Sequence, residues 1–177
     1  LVEGWKMKGT DISRLSPLAD EAPDEKADAV FLPGGYPELH AARLAANERF
    51  RTAMIRKAQD RAAIYGECGG YMVLGEALVD AQGERHTMLG LLPLVTSFAA
   101  RRRHLGYRRL TALAGPFSNG LFTAHEFHYS TVLHEGQAER LFEAVDAAGE
   151  VVGPAGLCRD NVSGSYMHLI DIAGVAG

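Results

Sequence analysis

Apolar residues recur with two different periods in the first half of the chain. Residues 27–32 form a continuous apolar run, which predicts a strand buried on both faces. Residues 38 to about 60 carry apolar side chains at helical spacing, with Asn47 as the candidate break and cap of a second helix. A short buried strand over residues 62–65 and a helix over residues 71–78 follow. This order of strand, helix, strand and helix predicts parallel strands joined by right-handed crossovers.

The two ends of the chain depart from that order. Residues 1–8 predict the tail of a helix, and residues 11–18 predict a short strand. Because no strand precedes that helix, we expect the chain to be a fragment that lacks the first strand of its fold. From Gly106 onward the pattern changes to strands, over residues 107–113, 121–133 and 141–145. We therefore predict one α/β domain over residues 1–177, with a parallel first half and a β-rich, partly antiparallel second half.

Composition narrows the class of protein. The chain has 177 residues, 47% of them hydrophobic, which suits one domain whose core is large enough to fold unaided. Its 18 Lys and Arg against 22 Asp and Glu leave a net charge of −4, which argues against a nucleic-acid partner. The apolar runs are far shorter than the roughly 20 residues of a membrane span, so we expect no membrane partner either. Two cysteines are too few for a disulfide framework, which favours a reducing, cytoplasmic location.

A cysteine stands where the second strand is predicted to turn into a helix. The segment Gly66-Glu67-Cys68-Gly69-Gly70 sets the thiol among small residues. Such a turn pushes the sulfur out of the carboxyl edge of the sheet, where ligands of open α/β sheets bind. The helix N-terminus is expected to lower the pKa of the thiol, and the glycines leave N–H groups accessible to an oxyanion. We predict that Cys68 is a nucleophile; the alternative is a buried cysteine that acts as a small hydrophobic residue.

A cysteine nucleophile needs an oxyanion site and a base. Pro33-Gly34-Gly35 ends the preceding strand, so its N–H groups are expected at the same edge of the sheet as Cys68. His125, His128 and His168 all stay open as the base, because sequence spacing alone does not choose among them. The other four histidines stand beside charged or turn residues and are predicted to be surface groups: His40, His86, His104 and His134.

Five ordered motifs carry a resemblance to a known family. They are SPLADE at residues 16–21, LPGGYPEL at 32–39, YGECGGYM at 65–72, HEFHYS at 125–130 and GSYMHL at 164–169. Together they resemble the C-terminal glutamine amidotransferase domain of cobyrinate and hydrogenobyrinate a,c-diamide synthases, over nearly the whole chain. The resemblance implies a flavodoxin-like class I glutamine amidotransferase fold, with a mostly parallel central sheet and helices on both faces.

The resemblance also implies roles for individual residues. Cys68 would attack the side-chain amide of glutamine, and His168 would be the base that raises its nucleophilicity. Gly34, Gly35 and Gly69 would form the oxyanion and glutamine-binding site. The ammonia released would serve the ATP-dependent a,c-amidation of cobyrinate or hydrogenobyrinate, a step of cobalamin biosynthesis.

Two features of the chain depart from the wider pattern. Ile170 stands two residues after the histidine, where class I glutaminases often carry a glutamate, so the group that orients His168 is unassigned. In addition, no Gly-x-x-x-x-Gly-Lys-Ser/Thr loop occurs that would cradle ATP phosphates. We expect no cofactor and no metal in this domain, with ATP and Mg²⁺ bound by an N-terminal synthetase domain absent from the chain.

Several charged residues have two interpretations. Arg101, Arg102 and Arg103 begin a run of five arginines within nine residues, which is either solvated charge or a contact with an acidic partner. Glu126 and His128 are either buried polar structure or support for a site that faces the synthetase domain. The expected partners are thus glutamine, the synthetase domain and the corrin, with homo-oligomer formation at an exposed sheet edge as a further expectation.

Two other functions stay open at this point. One is a stand-alone cysteine hydrolase or chaperone-like protein of the same architecture. The other is a non-catalytic relative of the amidotransferases whose fold only carries an interface. Labelling by a glutamine-analogue electrophile separates these hypotheses, because only a glutaminase is expected to form a single adduct at Cys68.

Overall fold

Two β-sheets and four α-helices build the part of the chain that the structure, a computed structural model, describes: residues 2–175. The helices are α1 (Val2–Met7), α2 (Ala41–Ala46), α3 (Glu48–Gln59) and α4 (Gly69–Leu74). The strands are β1 (Ala29–Leu32), β2 (Ala63–Glu67), β3 (Ala77–Val79), β4 (Arg85–Thr87), β5 (Leu94–Ser97), β6 (His104–Ala112), β7 (Gly120–His128), β8 (Thr131–Glu135), β9 (Glu139–Asp146), β10 (Val151–Arg159), β11 (Val162–Ser165) and β12 (Met167–Val175). Over residues 2–175, none of the helices combines the length and the hydropathy that a membrane span requires.

The larger sheet is mixed in strand direction. Its eight strands lie in the order β1-β2-β11-β10-β9-β6-β7-β12, and a second sheet has the order β4-β3-β5-β8. In the larger sheet β2 pairs in parallel with β1 and β11, whereas the other five pairs are antiparallel. The α/β class is confirmed, but the expectation of a mostly parallel sheet is wrong. Parallel pairs need long, usually helical crossovers, and α2, α3 and α4 all precede residue 75. In the second half, hairpins instead join β6 to β7, β9 to β10 and β10 to β11.

The first-half predictions hold in outline. The two predicted strands are β1 and β2, and the helical stretch breaks at Asn47 into α2 and α3. The helix predicted over residues 71–78 is shorter, because the backbone of Gly75 is extended (φ −67°, ψ 179°) and ends α4. The strand predicted over residues 11–18 is wrong, since Pro17–Ala19 is a 3-10 helix.

The second half holds more strands than predicted. The single strand expected over residues 121–133 is two, β7 and β8, because the chain leaves the larger sheet after His128 and β8 pairs with β5 in the smaller one. Strand β10 was not predicted, since Gly153 and Pro154 lie inside it and such residues normally argue against a strand. The turn that connects β9 to β10 brings Gly149 to a φ of 92°.

Two apolar clusters stabilise this arrangement. The first includes all the non-glycine residues of α4 together with Phe50, Met54 and Ile64. The second lies along β6, β7 and β9 and includes Leu110 and Phe142. Full burial of one such side chain contributes about 1.5–3 kcal/mol. Because α4 is buried along its whole length, the turn that leads into it is held firmly in place.

The first turn of α3 is capped from a distant part of the chain. Asn47 was the expected cap, but its side chain instead donates to the carbonyl oxygen of Pro17 (2.6 Å). The carboxylate of Asp20 accepts the N–H groups of Phe50 (2.7 Å) and Arg49 (3.3 Å). These N–H groups have no partner within a helix, so Asp20 performs the capping role. The motif at residues 16–21 therefore fixes α3 against the segment before β1.

We expect Asp20→Ala to lower the free energy of unfolding by about 1 kcal/mol, because two N–H groups of α3 lose their acceptor. Urea denaturation measures the change. Asp11→Ala removes an exposed carboxylate before the same 3-10 helix and serves as the matched control. Equal stability of the two variants would contradict the capping role.

Candidate active site

Cys68 lies on a strained turn between β2 and α4. Its backbone has φ 48° and ψ −104°, a sparsely populated conformation for a residue with a side chain. The turn is pressed against the loop that follows β1, because a Cβ on Gly70 would collide with the carbonyl oxygen of Leu32. A Cβ on Gly69 would lie 2.6 Å from the carbonyl oxygen of Gly35. Only glycine permits this approach, and it brings both glycine turns to one edge of the sheet, as the sequence predicts.

A cavity of about 380 Å³ opens beside this turn. Cys68, His168, Gly34 and Gly35 all line it. Gly69 does not line the cavity, but the backbone N–H groups of Gly69 and Gly35 both interact with the Cys68 sulfur and favour its thiolate. The structure thus brings every residue of the predicted catalytic and oxyanion set to one place.

His168 is held between two neighbours. Its ring stacks on that of His125, with centroids 4.6 Å apart and an angle of 16° between the planes. On another side Gly34 approaches so closely that a Cβ there would lie 2.5 Å from Cε1 of His168. Burial, followed by the charges of His125 and His128, lowers the pKa of His168. The imidazole is therefore held neutral, the form that accepts a proton.

His125 and His128 reach the same cavity but differ in the freedom of their ring nitrogens. Both nitrogens of His128 have partners, because Nδ1 lies 3.1 Å from the carbonyl oxygen of Ser130 and Nε2 lies 3.1 Å from Glu126. Its ring also stacks on Tyr166 at 3.7 Å. His128 is thus engaged in structure, while His125 serves as the stacking partner of His168.

Glu67 is a site residue that the sequence analysis missed. It precedes Cys68 directly, is 6% exposed, and lies with one carboxylate oxygen 3.8 Å from Nδ1 of His168. Its other oxygen accepts the N–H of Leu169 at 3.2 Å. Burial raises the pKa of Glu67 to about 7, although the Leu169 amide and the Tyr65 hydroxyl act in the opposite direction. The available signal was a carboxylate in an otherwise apolar strand, next to the nucleophile.

The resting state of Cys68 is a thiol. Burial raises its pKa to about 11, Glu38 and Glu67 add to the rise, and the amides of Gly69 and Gly35 oppose it. The sulfur lies 3.6 Å from the carbonyl oxygen of Phe127, which accepts the S–H. The expectation that the helix lowers this pKa is wrong, because α4 has six residues and the thiol is 7% exposed, so desolvation dominates.

Glu126 belongs to a buried ion-pair network behind the cavity. It accepts hydrogen bonds from Arg108 (2.7 Å) and contacts His128 (3.1 Å). Burial alone would raise the pKa of Glu126, but His128 and Arg108 outweigh it and lower the pKa. A Cβ on Gly106 would collide with the Arg108 guanidinium, so that glycine makes room for the pair. Of the two interpretations of Glu126 and His128, the structure favours buried polar structure, because both side chains are largely buried and contact each other.

The remaining histidines and arginines divide by exposure. His40 and His134 are exposed, as predicted for surface groups. Arg101, Arg102 and Arg103 are exposed too, which is compatible with both interpretations of the arginine run. His86 is not, because it contacts Asp80 at 2.7 Å with its side chain 12% exposed. His104 is not either, since it stacks on His128 with centroids 4.5 Å apart.

One group of potential metal ligands lies near the cavity. His104, Glu126 and His128 place one ligand atom each within 4.8 Å of the others. Arg108 already occupies Glu126, and a guanidinium there disfavours a cation. These residues therefore fit a metal ion poorly.

The site combines a cysteine on a strained strand-to-helix turn, two backbone amides that favour its thiolate, and a histidine in the same cavity. This combination defines a cysteine-dependent acyl-transfer site. The chain belongs to the family described as CobB/CobQ-like glutamine amidotransferase domains, which matches residues 5–173. It is 63% identical over 176 residues to a hydrogenobyrinate a,c-diamide synthase from a Sinorhizobium species, covering 99% of this chain and 41% of that protein. It is 61% identical over 173 residues to the protein of the same name from Rhizobium meliloti, covering 98% and 40% respectively.

The chain thus spans about two fifths of the length of the curated relatives it matches. Among solved structures, a glutamine amidotransferase from Thermotoga maritima aligns with 94% of this chain and 68% of its own, with a TM-score of 0.61 and 16% identity. A second glutamine amidotransferase structure aligns with 94% of this chain and 82% of its own, with a TM-score of 0.59 and 16% identity. These likenesses confirm the fold.

We expect alkylation of Cys68 by iodoacetamide to accelerate about tenfold per pH unit between about pH 8 and pH 10, because the thiolate fraction grows with pH up to the pKa. Cys158→Ser leaves Cys68 as the single thiol and isolates its rate. Adding Cys68→Ser to that variant gives the blank. A rate that levels off near pH 8 would show a low thiol pKa and contradict the burial argument.

Proposed function

We propose that this chain hydrolyses the side-chain amide of glutamine through a Cys68 thioester and supplies the ammonia to a synthetase. One observation carries the proposal: Cys68 and His168 line one cavity, with the amides of Gly35 and Gly69 at the sulfur. The chain's membership of an amidotransferase family supports glutamine as the substrate.

The reaction proceeds in two acyl-transfer steps. His168 takes the proton of the Cys68 thiol while the sulfur attacks the amide carbon, and the N–H groups of Gly35 and Gly69 stabilise the oxyanion. The carbon–nitrogen bond then breaks, and His168 gives its proton to the leaving nitrogen, which departs as ammonia. In the second step water attacks the thioester, His168 takes a proton from it, and glutamate leaves as the thiol is restored.

The raised thiol pKa fits a concerted start to this sequence. With a pKa of about 11, Cys68 holds little thiolate near neutral pH. Proton transfer to His168 therefore has to accompany attack on the substrate. A site of this kind hydrolyses little substrate until glutamine is correctly placed, which suits an enzyme whose ammonia is consumed elsewhere.

Glu38 is suited to recognise the amino-acid end of glutamine. It is the carboxylate among the residues that line the cavity, and it lies half-buried in the 3-10 helix Pro37–Leu39. Burial raises the pKa of Glu38, whereas its own backbone amide, Arg101 and His40 lower it. We infer that Glu38 binds the α-ammonium group, and that the nearby positive charge of Arg101 serves the α-carboxylate.

We expect Glu38→Gln to raise the KM for glutamine by about 10-fold or more and to leave kcat nearly unchanged, because one charge-assisted hydrogen bond is lost on binding. Steady-state glutamate release measures both constants. Glu48→Gln, at an exposed position at the start of α3, is the matched control. A fall in kcat with unchanged KM would contradict a binding role.

The whole protein is proposed to be an a,c-diamide synthase. The relatives that carry this name are about two and a half times as long as the chain, so a second region binds ATP, Mg²⁺ and the corrin in this proposal. Hydrogenobyrinate is favoured over cobyrinate as the acceptor by the names of these relatives. Both cysteines are free thiols, which fits a cytoplasmic location.

The mouth of the cavity offers a surface for that second region. Its lining includes the exposed aromatic side chains of Tyr36, Phe127 and Tyr129. The register pairs Leu105 with Phe127 and Tyr107 with His125 on one sheet face. The exposed fractions are 61% for Leu105 and 70% for Tyr107, and the exposed Arg101, Arg102 and Arg103 directly precede β6 in the chain. We propose that the synthetase region covers this face and receives ammonia through it.

The buried thiol is the one observation that favours a non-catalytic domain. A cysteine with a raised pKa and a carbonyl acceptor is also what a structural cysteine shows. The glycine-lined approach and the adjacent neutral histidine favour catalysis instead, and the experiment below separates the two hypotheses.

We expect Cys68→Ser in the full-length enzyme to abolish glutamine-dependent amidation while ammonia-dependent amidation persists, because the thiol serves only to release ammonia. Product formation is measured with glutamine and with ammonium chloride as nitrogen source. Cys158→Ser, at a buried thiol outside the cavity, is the control. Equal loss of both activities in Cys68→Ser would show that Cys68 is structural.

A further inference from the structure

We propose that Glu67 is the positioning residue for His168, holding its imidazole in the tautomer that carries the proton on Nδ1. The inference rests on the proposed glutaminase function. Its basis is the carboxylate of Glu67 beside Nδ1 of His168, at 3.8 Å. A proton on Nδ1 leaves Nε2 free to accept the proton of the Cys68 thiol.

The carboxylate is fixed relative to both catalytic residues. Glu67 is the last residue of β2, and the backbone of Cys68, which follows it, donates to the carbonyl oxygen of Ser165 at 2.8 Å. Across the same junction the Leu169 amide donates to Glu67 at 3.2 Å. One side chain therefore joins the nucleophile's turn to His168 and Leu169 of β12.

Contacts other than that with Glu67 fix the plane of the His168 ring. His125 stacks on one face, and Gly34 lies against Cε1. These contacts are apolar in character and do not distinguish the two ring nitrogens. In this proposal the carboxylate does distinguish them, because the contact that the structure gives joins Oε2 of Glu67 to Nδ1, at 3.8 Å. Glu67 thus decides which nitrogen carries the proton, as carboxylates beside the outer ring nitrogen of metal-binding histidines do.

The strand that carries His168 does not supply a competing carboxylate. Ile170 is apolar and 55% exposed. Asp171 is exposed and accepts the N–H of Ile172 at 2.8 Å. The pairing of β12 with β7 is irregular between Leu169 and Asp171. Asp171 therefore does not continue the regular strand pairing in which His168 lies. The orienting carboxylate comes from β2 instead.

The protonation states of the pair match the role. Glu67 contacts His168 and interacts with the Cys68 thiol and the Tyr65 hydroxyl. His168 also interacts with His125 and His128 from β7. The pKa of Glu67 is raised to about 7 and that of His168 is lowered below its usual 6.5. Above pH 7 the pair is therefore a carboxylate and a neutral imidazole, and as pH falls through about 7 the carboxylate is protonated and loses the charge that favours a proton on Nδ1.

Glu67→Gln tests the proposal in the full-length enzyme. The amide keeps the size of the side chain and can still accept from Leu169, but it lacks the charge that selects the tautomer. We expect kcat for glutamine hydrolysis to fall about 10²-fold with little change in KM, the range of general acid–base effects. Ammonia-dependent amidation should stay within twofold of the unaltered enzyme. Glu135→Gln, at a part-buried glutamate paired with Arg140, is the matched control.

Two readouts respond to positioning and not to a merely structural role. The acid limb of the kcat/KM profile should lie near pH 7 in the unaltered enzyme and move below pH 6.5 in Glu67→Gln, where only His168 titrates. Nitrogen-15 shifts of His168 at pH 8 should report the Nδ1-protonated tautomer, and Glu67→Gln should mix the two tautomers. Glu67→Asp, which restores the charge, should recover part of kcat.

Contrary results would separate this inference from the proposed function. If Cys68→Ser abolishes glutamine-dependent activity while Glu67→Gln keeps the kcat, the acid limb and the tautomer, the role of Glu67 is wrong and the glutaminase stands. If Cys68→Ser leaves glutamine-dependent activity intact, the glutaminase proposal itself fails. A Glu67→Gln variant that loses kcat with an unchanged tautomer and acid limb would make Glu67 structural and overturn the proposal.

Discussion

The site depends on a close backbone contact between the end of β1 with its following loop and the two glycines that begin α4. Gly69 and Gly70 lie against Gly35 and the Leu32 carbonyl, at distances that no Cβ can enter. The contact fixes the end of β1 to the turn before α4. From it follow the amides beside the Cys68 sulfur, the approach of Gly34 to His168, and the place of the cavity at the sheet edge. The strain at Cys68, of the order of 1–3 kcal/mol, is sustained by the buried helix that follows.

Burial sets the electrical state of the site. It raises the pKa values of Cys68, Glu67 and Glu38 and lowers that of His168, so every one of these groups is driven toward its neutral form. The geometry is thus assembled in advance, while charge separation waits for the substrate. Glu126 is the exception: two hydrogen-bonding partners keep its charge and hold β6 to β7 behind the cavity.

The sequence allowed prediction of the elements whose signals are local. Glycines after β1 and β2 marked both turns of the site, and the buried apolar runs marked the strands before them. Strands β3, β4 and β5 were missed because three or four residues carry no readable period. The cap joins Asp20 to Phe50, which are 30 positions apart in the chain. The contact at the active site joins Glu67 to His168, which are 101 positions apart. Contacts of that separation follow from the folded sheet and leave no mark in spacing.

The burial of Cys68 and its hydrogen bond to the Phe127 carbonyl also affect how readily peroxides oxidise the thiol. Peroxides oxidise thiolates much faster than thiols, and access to the sulfur limits the rate further. Cys68 is 7% exposed and its S–H donates to a carbonyl oxygen, so its sulfur is a poor target on both grounds. The same burial that keeps Cys68 a thiol before substrate binds therefore also shields it from conversion to sulfenic acid between turnovers. Low reactivity without substrate and resistance to oxidation thus have one physical origin.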